Sequence, residues 1–221
     1  MADPVDALAR EVARVGDWLE QLDSKDWDRP TRCPPLTVRE LATHAARGAG
    51  RMLQMLGAPQ ETDEPEKDGV TYFQYDPATV GTGVVSRAKE EAAGDLGRGM
   101  PGSWTRLWNE ALPLVRARLE EDPVVRSPLG SIHLSEYVRT RCVEVTIHAM
   151  DLRDALGLDP DPTPEGLEAA CDVLRGLLGT DPRALGMDDV RFALVGTGRG
   201  KLSDAEREAL GPLADSFPLL Q

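Results

Sequence analysis

One segment, residues 134–156, narrows the choice of fold more than any other part of the chain. Val138, Cys142, Val145, Ala149, Leu152 and Leu156 fall on one stripe of a helix, and Val143, Ile147 and Met150 form a second apolar patch. A helix that is apolar on most of its sides is buried. Yet Arg141, Glu144, His148 and Asp151 follow one another at spacings of 3, 4 and 3, a polar stripe on that same helix. Charged groups are costly to bury unless they are paired or hold a metal. The fold must therefore bring partners to this stripe.

The neighbouring segments supply helices to surround it. Val5, Leu8, Val12, Val15, Leu19 and Leu22 share one helical face, and Asp3-Pro4 is a strong start signal. Thr37 and Glu40 have capping-box spacing and open a second helix running to about residue 56. Helical spacing returns over 84–92, and again from Ser103, which is expected to cap a helix through Trp104, Trp108 and Leu119 with Pro113 inside it. Residues 57–77 read as a long acidic connection over the mouth of a site, and 122–130 as a turn. A further helix is expected at 164–178, a strand at 190–195, a glycine-rich turn at 196–200 and a short helix at 203–210. The expectation is a mostly α chain. A four-helix bundle over 1–160 is followed by a small C-terminal α/β extension (helix, strand, short helix) over 161–221.

Composition removes several function classes. With 38 acidic against 25 basic side chains and a net charge of -13, the surface repels phosphate backbones, so no nucleic-acid partner is expected. No run approaches the roughly 20 apolar residues of a membrane helix, so no membrane partner is expected. The acidic start of the chain does not read as a signal peptide. Three widely spaced cysteines (Cys33, Cys142, Cys171) make neither a disulfide framework nor a C-x-x-C site. A cytoplasmic monomer or homodimer is expected.

Glu144 and His148 lie one turn apart and can chelate a divalent metal, although a plain Glu–His hydrogen bond has the same spacing. His44 lies on the inner side of the second helix, as a core residue or as a third ligand. The set His44, Glu144 and His148 would match a catalytic zinc site with an open position; two histidines and a carboxylate also suit iron, and nickel is a further alternative. His133 has a poorer context. Asp151 is placed to orient His148, or to pair with Arg153 or Arg47. Arg47, Arg51 and Arg141 are candidate anchors for an anionic substrate or cosubstrate, or solvated and salt-bridging residues. Cys33 is either a reactive thiol or a packing residue, whereas Cys142 faces away from the stripe. Trp104 and Trp108 belong to the core or to a pocket wall. The turn at 196–200 either offers backbone N–H groups to an anion or is a simple tight turn.

Two blocks carry a family resemblance. The first is Trp27…Pro30-Thr31-Arg32-Cys33-Pro34-Pro35-Leu36-Thr37-Val38-Arg39-Glu40-Leu41…His44; the second is Arg141…Glu144…His148…Asp151-Leu152. They resemble the DinB-like superfamily, and within it the mycothiol-dependent maleylpyruvate isomerase-like group. Pro35-Leu36 stands where that pattern has Gly-Trp, and the tail is shorter than a full C-terminal domain of the group. The resemblance implies a DinB-like four-helix bundle, metal ligands His44, Glu144 and His148, and mycothiol as thiol cosubstrate. It implies an S-transferase, or a cis–trans isomerase of the maleylpyruvate type, acting on a small electrophile. A thiol-independent metal hydrolase and a non-catalytic metal-binding stress protein are the alternatives.

Overall fold

The computed structural model describes residues 3–58, 64–75 and 83–220. Parts of the expected acidic connection, 59–63 and 76–77, lie outside the described residues. Four long helices make the bundle: α1 (Pro4–Leu19), α2 (Val38–Gly57), α5 (Met100–Arg118) and α6 (Leu134–Ala155). Two shorter helices, α3 (Val84–Ala93) and α4 (Asp95–Arg98), lead from the connection into α5. Around the bundle the order is α1, α5, α2, α6, each long helix touching the two beside it. The apolar stripes expected of α1 and α6 meet in one core with α2 and with Trp104 and Trp108 of α5. This is the mostly α four-helix bundle that the helical periodicities imply.

Local chemistry sets the helix ends. The Asp3 carboxylate accepts from the N–H groups of Val5 and Asp6, and Thr37 and Glu40 close a complete capping box on α2. The start of α5 differs from expectation. It begins at Met100 with Pro101 in its first turn, so Ser103 lies inside the helix rather than capping it. The turn expected at 122–130 is a β-hairpin, β1 (Val124–Ser127) paired antiparallel with β2 (Gly130–His133) across Pro128-Leu129. Glu66 and Lys67 donate their N–H groups to the Ser131 carbonyl, which ties the acidic connection to this hairpin.

The extension follows as α7 (Pro164–Leu178), α8 (Asp189–Gly196) and α9 (Asp204–Leu210). The strand expected at 190–195 is helical. Asp188 caps it by accepting from Arg191 N–H, and among the described residues no sheet edge lies there for a strand to join. A short run that is apolar apart from one arginine is ambiguous between a buried helix and a strand, and here packing against α7 decides it. The second apolar patch of α6, Val143, Ile147 and Met150, joins a separate core with Cys171, Leu174 and Phe192 of the extension. Among the described residues, no helix is long and apolar enough to cross a membrane.

The approach of α7 to α1 is tight. Buried Glu11 accepts through Oε2 from Thr163 N–H (2.8 Å) and Thr163 Oγ1 (2.6 Å). A Cβ at Gly166 would lie 2.6 Å from Glu11 Oε2 and 2.7 Å from Thr146 Oγ1. Gly166→Ala is therefore expected to lower unfolding stability by about 1–3 kcal/mol, the usual cost of overpacking. Urea unfolding checks this; an unchanged midpoint would show that the α1–α7 contact has slack.

Candidate active site

The polar stripe of α6 opens into a cavity of about 460 Å³ between α2, α3, α6, the hairpin turn and the extension. The expected site residues His44, Arg47, Arg51, Arg141, Glu144 and His148 all line it. Asp151 is completely buried behind it. Cys142, His133 and the tryptophans Trp104 and Trp108 do not line it, and both tryptophans are core.

His44 and His148 project from α2 and α6 with ring centroids 5.3 Å apart, edge to face. The His44 Nδ1 atom is buried and has no hydrogen-bond partner among the described residues. Burial, together with the nearby charge of His148, pushes its pKa down to about 4, so the ring is neutral at pH 7. His148 is set up differently. Its Nδ1 lies 3.1 Å from Asp151 Oδ2. Burial works against the charged ring, but the hydrogen bonds with Asp151 and Cys33 push its pKa up to about 9. Glu144 is bonded to Arg141, and this guanidinium with the two imidazoles outweighs burial and keeps the carboxylate below its usual range.

Asp151 is the hub behind His148. Its Oδ1 accepts from Arg32 Nε (2.8 Å) and Arg199 Nε (2.9 Å). Its Oδ2 accepts from Arg199 Nη2 (2.7 Å) and from the Cys33 thiol (3.1 Å). Burial disfavours the carboxylate, but His148 and Arg199 hold its pKa well below the usual range. Asp151 thus bonds to His148, and its arginine partners are Arg32 and Arg199. Arg47 pairs instead with Glu91 (2.9 Å), and Arg153 donates to the Asp159 carbonyl.

Sequence reasoning missed Arg32 and Arg199 as site residues. Arg32 sits inside the first motif block, beside Cys33, on a loop held by Thr31 N–H donating to the Leu36 carbonyl (3.0 Å). Arg199 belongs to the glycine-rich turn. The Gly198 and Arg199 N–H groups donate back to the Val195 and Leu194 carbonyls, so this is a tight turn, and its contribution to the site is the arginine side chain. Arg141 is also more occupied than an anchor would be. It lies over the rings of Tyr137 (4.7 Å) and Tyr72 (5.5 Å) while paired with Glu144.

Among the described residues, one group of three ligand-type side chains has its donor atoms within 4.8 Å of one another: Cys33, His148 and Asp151. That group could hold a metal ion, although two guanidiniums already occupy the Asp151 oxygens. His44, Glu144 and His148 share the cavity wall without closing to that distance, and the Glu144 carboxylate is engaged by Arg141.

A four-helix bundle with paired inward histidines and a polar cavity defines a helical-bundle protein whose site is built from facing helices. The chain belongs to the mycothiol maleylpyruvate isomerase N-terminal domain family, whose model matches residues 8–153. No curated protein matches it. No solved structure matches it either.

Proposed function

We propose that the chain is a metal-dependent enzyme that uses a low-molecular-weight thiol, mycothiol by its family, on a small electrophile. The reaction is S-transfer, or cis–trans isomerisation of the maleylpyruvate type. The observation that carries this reading is the buried, unpartnered Nδ1 of a neutral His44 beside the His148 ring. A buried polar atom without a partner is costly, and a cation satisfies it. The donor set fits a divalent metal: two imidazoles and one carboxylate leave a position open, as in catalytic zinc sites. His44, Glu144 and His148 would hold the ion. The Cys33–His148–Asp151 group is the poorer seat, because Arg32 and Arg199 oppose a second positive charge there.

The chemistry such an ion would supply, held by His44, Glu144 and His148, is a lowered thiol pKa at neutral pH. The protein's own residues do the rest. Asp151 fixes the His148 ring through Nδ1, which directs Nε2 toward the cavity. Arg141 keeps Glu144 ionised and ready as a ligand. Tyr72 and Tyr137 wall the cavity, and burial raises the pKa of each hydroxyl, so both stay neutral. A cavity of about 460 Å³ has room for a thiol and a small electrophile, which speaks against a purely structural metal protein.

The test is direct. Chain purified without added metal is expected to hold about one divalent ion, zinc by donor type, and to consume thiol with an activated alkene. Removal of the metal by chelation is expected to stop turnover, and zinc to restore it. Absence of metal even after reconstitution would overturn the reading, and metal-dependent turnover without thiol would make the chain a hydrolase.

A further inference from the structure

We propose that Arg51 and Arg87 form a carboxylate seat on the cavity wall that selects acidic electrophiles over neutral ones. This deepens the thiol-transfer reading above and rests on it. Two contacts fix how α2 meets the α3–α4 segment. Arg39 Nη1 donates to the Gly97 carbonyl (2.9 Å), and Arg47 Nε pairs with Glu91 (2.9 Å). Residue numbers rise along α2 as they fall along α3, so the helices run antiparallel. One turn onward from Arg47 is Arg51, and one turn back from Glu91 is Arg87. The register therefore sets two arginines opposite each other, and both line the cavity.

Like charges placed together are unfavourable unless something compensates them. Among the described residues neither has a carboxylate partner. Arg51 donates only to Gln54 Oε1 (3.2 Å). The Arg87 guanidinium folds back over the start of α3, where a Cβ on Gly83 would lie 2.4 Å from Nη1. The other cavity arginines are already matched: Arg47 to Glu91, Arg141 to Glu144 and Arg199 to Asp151. Among the described residues, five arginines and a single carboxylate line this cavity in a chain of net charge -13. The local field is the reverse of the molecule's, as an anion site requires. The wall beside the pair is hydrocarbon (Val84, Val85), which suits a carboxylate on a short carbon chain.

Calorimetric titration with succinate, an unreactive dicarboxylate, and with its neutral dimethyl ester tests the seat without metal, thiol or turnover. Succinate is expected to bind wild type and to bind about tenfold more weakly to Arg51→Gln or Arg87→Gln, and about a hundredfold more weakly to the double variant. Arg106→Gln, outside the cavity, is expected to leave it unchanged, as is circular dichroism of each variant. The ester is expected to show no dependence on either residue. Equal binding of acid and ester, or succinate affinity unchanged in the double variant, would overturn the seat. Succinate binding that depends on both arginines, in a chain that never consumes thiol, would keep the seat and reject the thiol reading. Thiol turnover with neutral electrophiles and no succinate binding would do the opposite.

Discussion

Asp151→Asn is expected to cost about 3 kcal/mol of unfolding stability, near the lower end of the range for removing one partner of a buried ion pair. The side chain is completely buried and receives two guanidiniums, a thiol and an imidazole. An asparagine of the same shape removes the charge and turns one acceptor into a donor facing donors. The loss stays at the lower end because Arg32 and Arg199 keep 22% and 17% exposure, and Arg32 also lies 3.6 Å from Asp154. The sign with pH follows from the lowered Asp151 pKa. The wild-type advantage is complete above the unfolded carboxylate value of about 3.9 and shrinks as the pH falls below it. Urea unfolding of the metal-free proteins at neutral pH measures it, and a difference under about 1 kcal/mol would show that the arginines find other partners. Metal affinity is expected to fall by about 10–100-fold in the same variant, because His148 loses the group that orients it.

His44→Ala is expected to show the opposite profile. Metal affinity should drop by more than about a hundredfold, the upper end of what an outer partner alone contributes, and thiol turnover should disappear with it. Stability should move little. The substitution leaves a gap, but it also removes a buried Nδ1 that has no partner among the described residues. Metal content by elemental analysis, read beside the urea midpoint, separates a ligand from a core histidine. A core histidine would lose stability and leave the metal in place; a ligand does the reverse. Retention of metal by the folded variant would refute the assignment of His44.

The parts of this molecule legible in its sequence are those set by short-range spacing. The capping box at Thr37 and the stripes of α1 and α6 are periodic signals within one or two turns. The polar stripe of α6 also announced that its partners must exist. It could not say which, because Arg32 and Arg199 lie 119 and 48 residues from Asp151 in the chain, and each reads locally as an ordinary surface arginine. The hairpin at 124–133 escaped notice because each strand has only four residues and its turn, Pro128-Leu129, lacks the glycine or asparagine of common two-residue turns. The run at 190–195 has a local start signal in Asp188, but its own composition does not separate a strand from a helix. Packing on α7 settles it.

The two-sided burial of α6 has a consequence for how this chain can be divided. On one face it completes the bundle, and on the other Val143, Ile147 and Met150 are closed over by residues from beyond position 160. A fragment ending after α6 would carry an oily stripe into solvent and leave Asp151 with one guanidinium fewer. The tail is therefore less an appendage than a fifth wall, and a swap of tails between relatives would replace the side of the cavity that carries Thr197, Arg199 and Leu220.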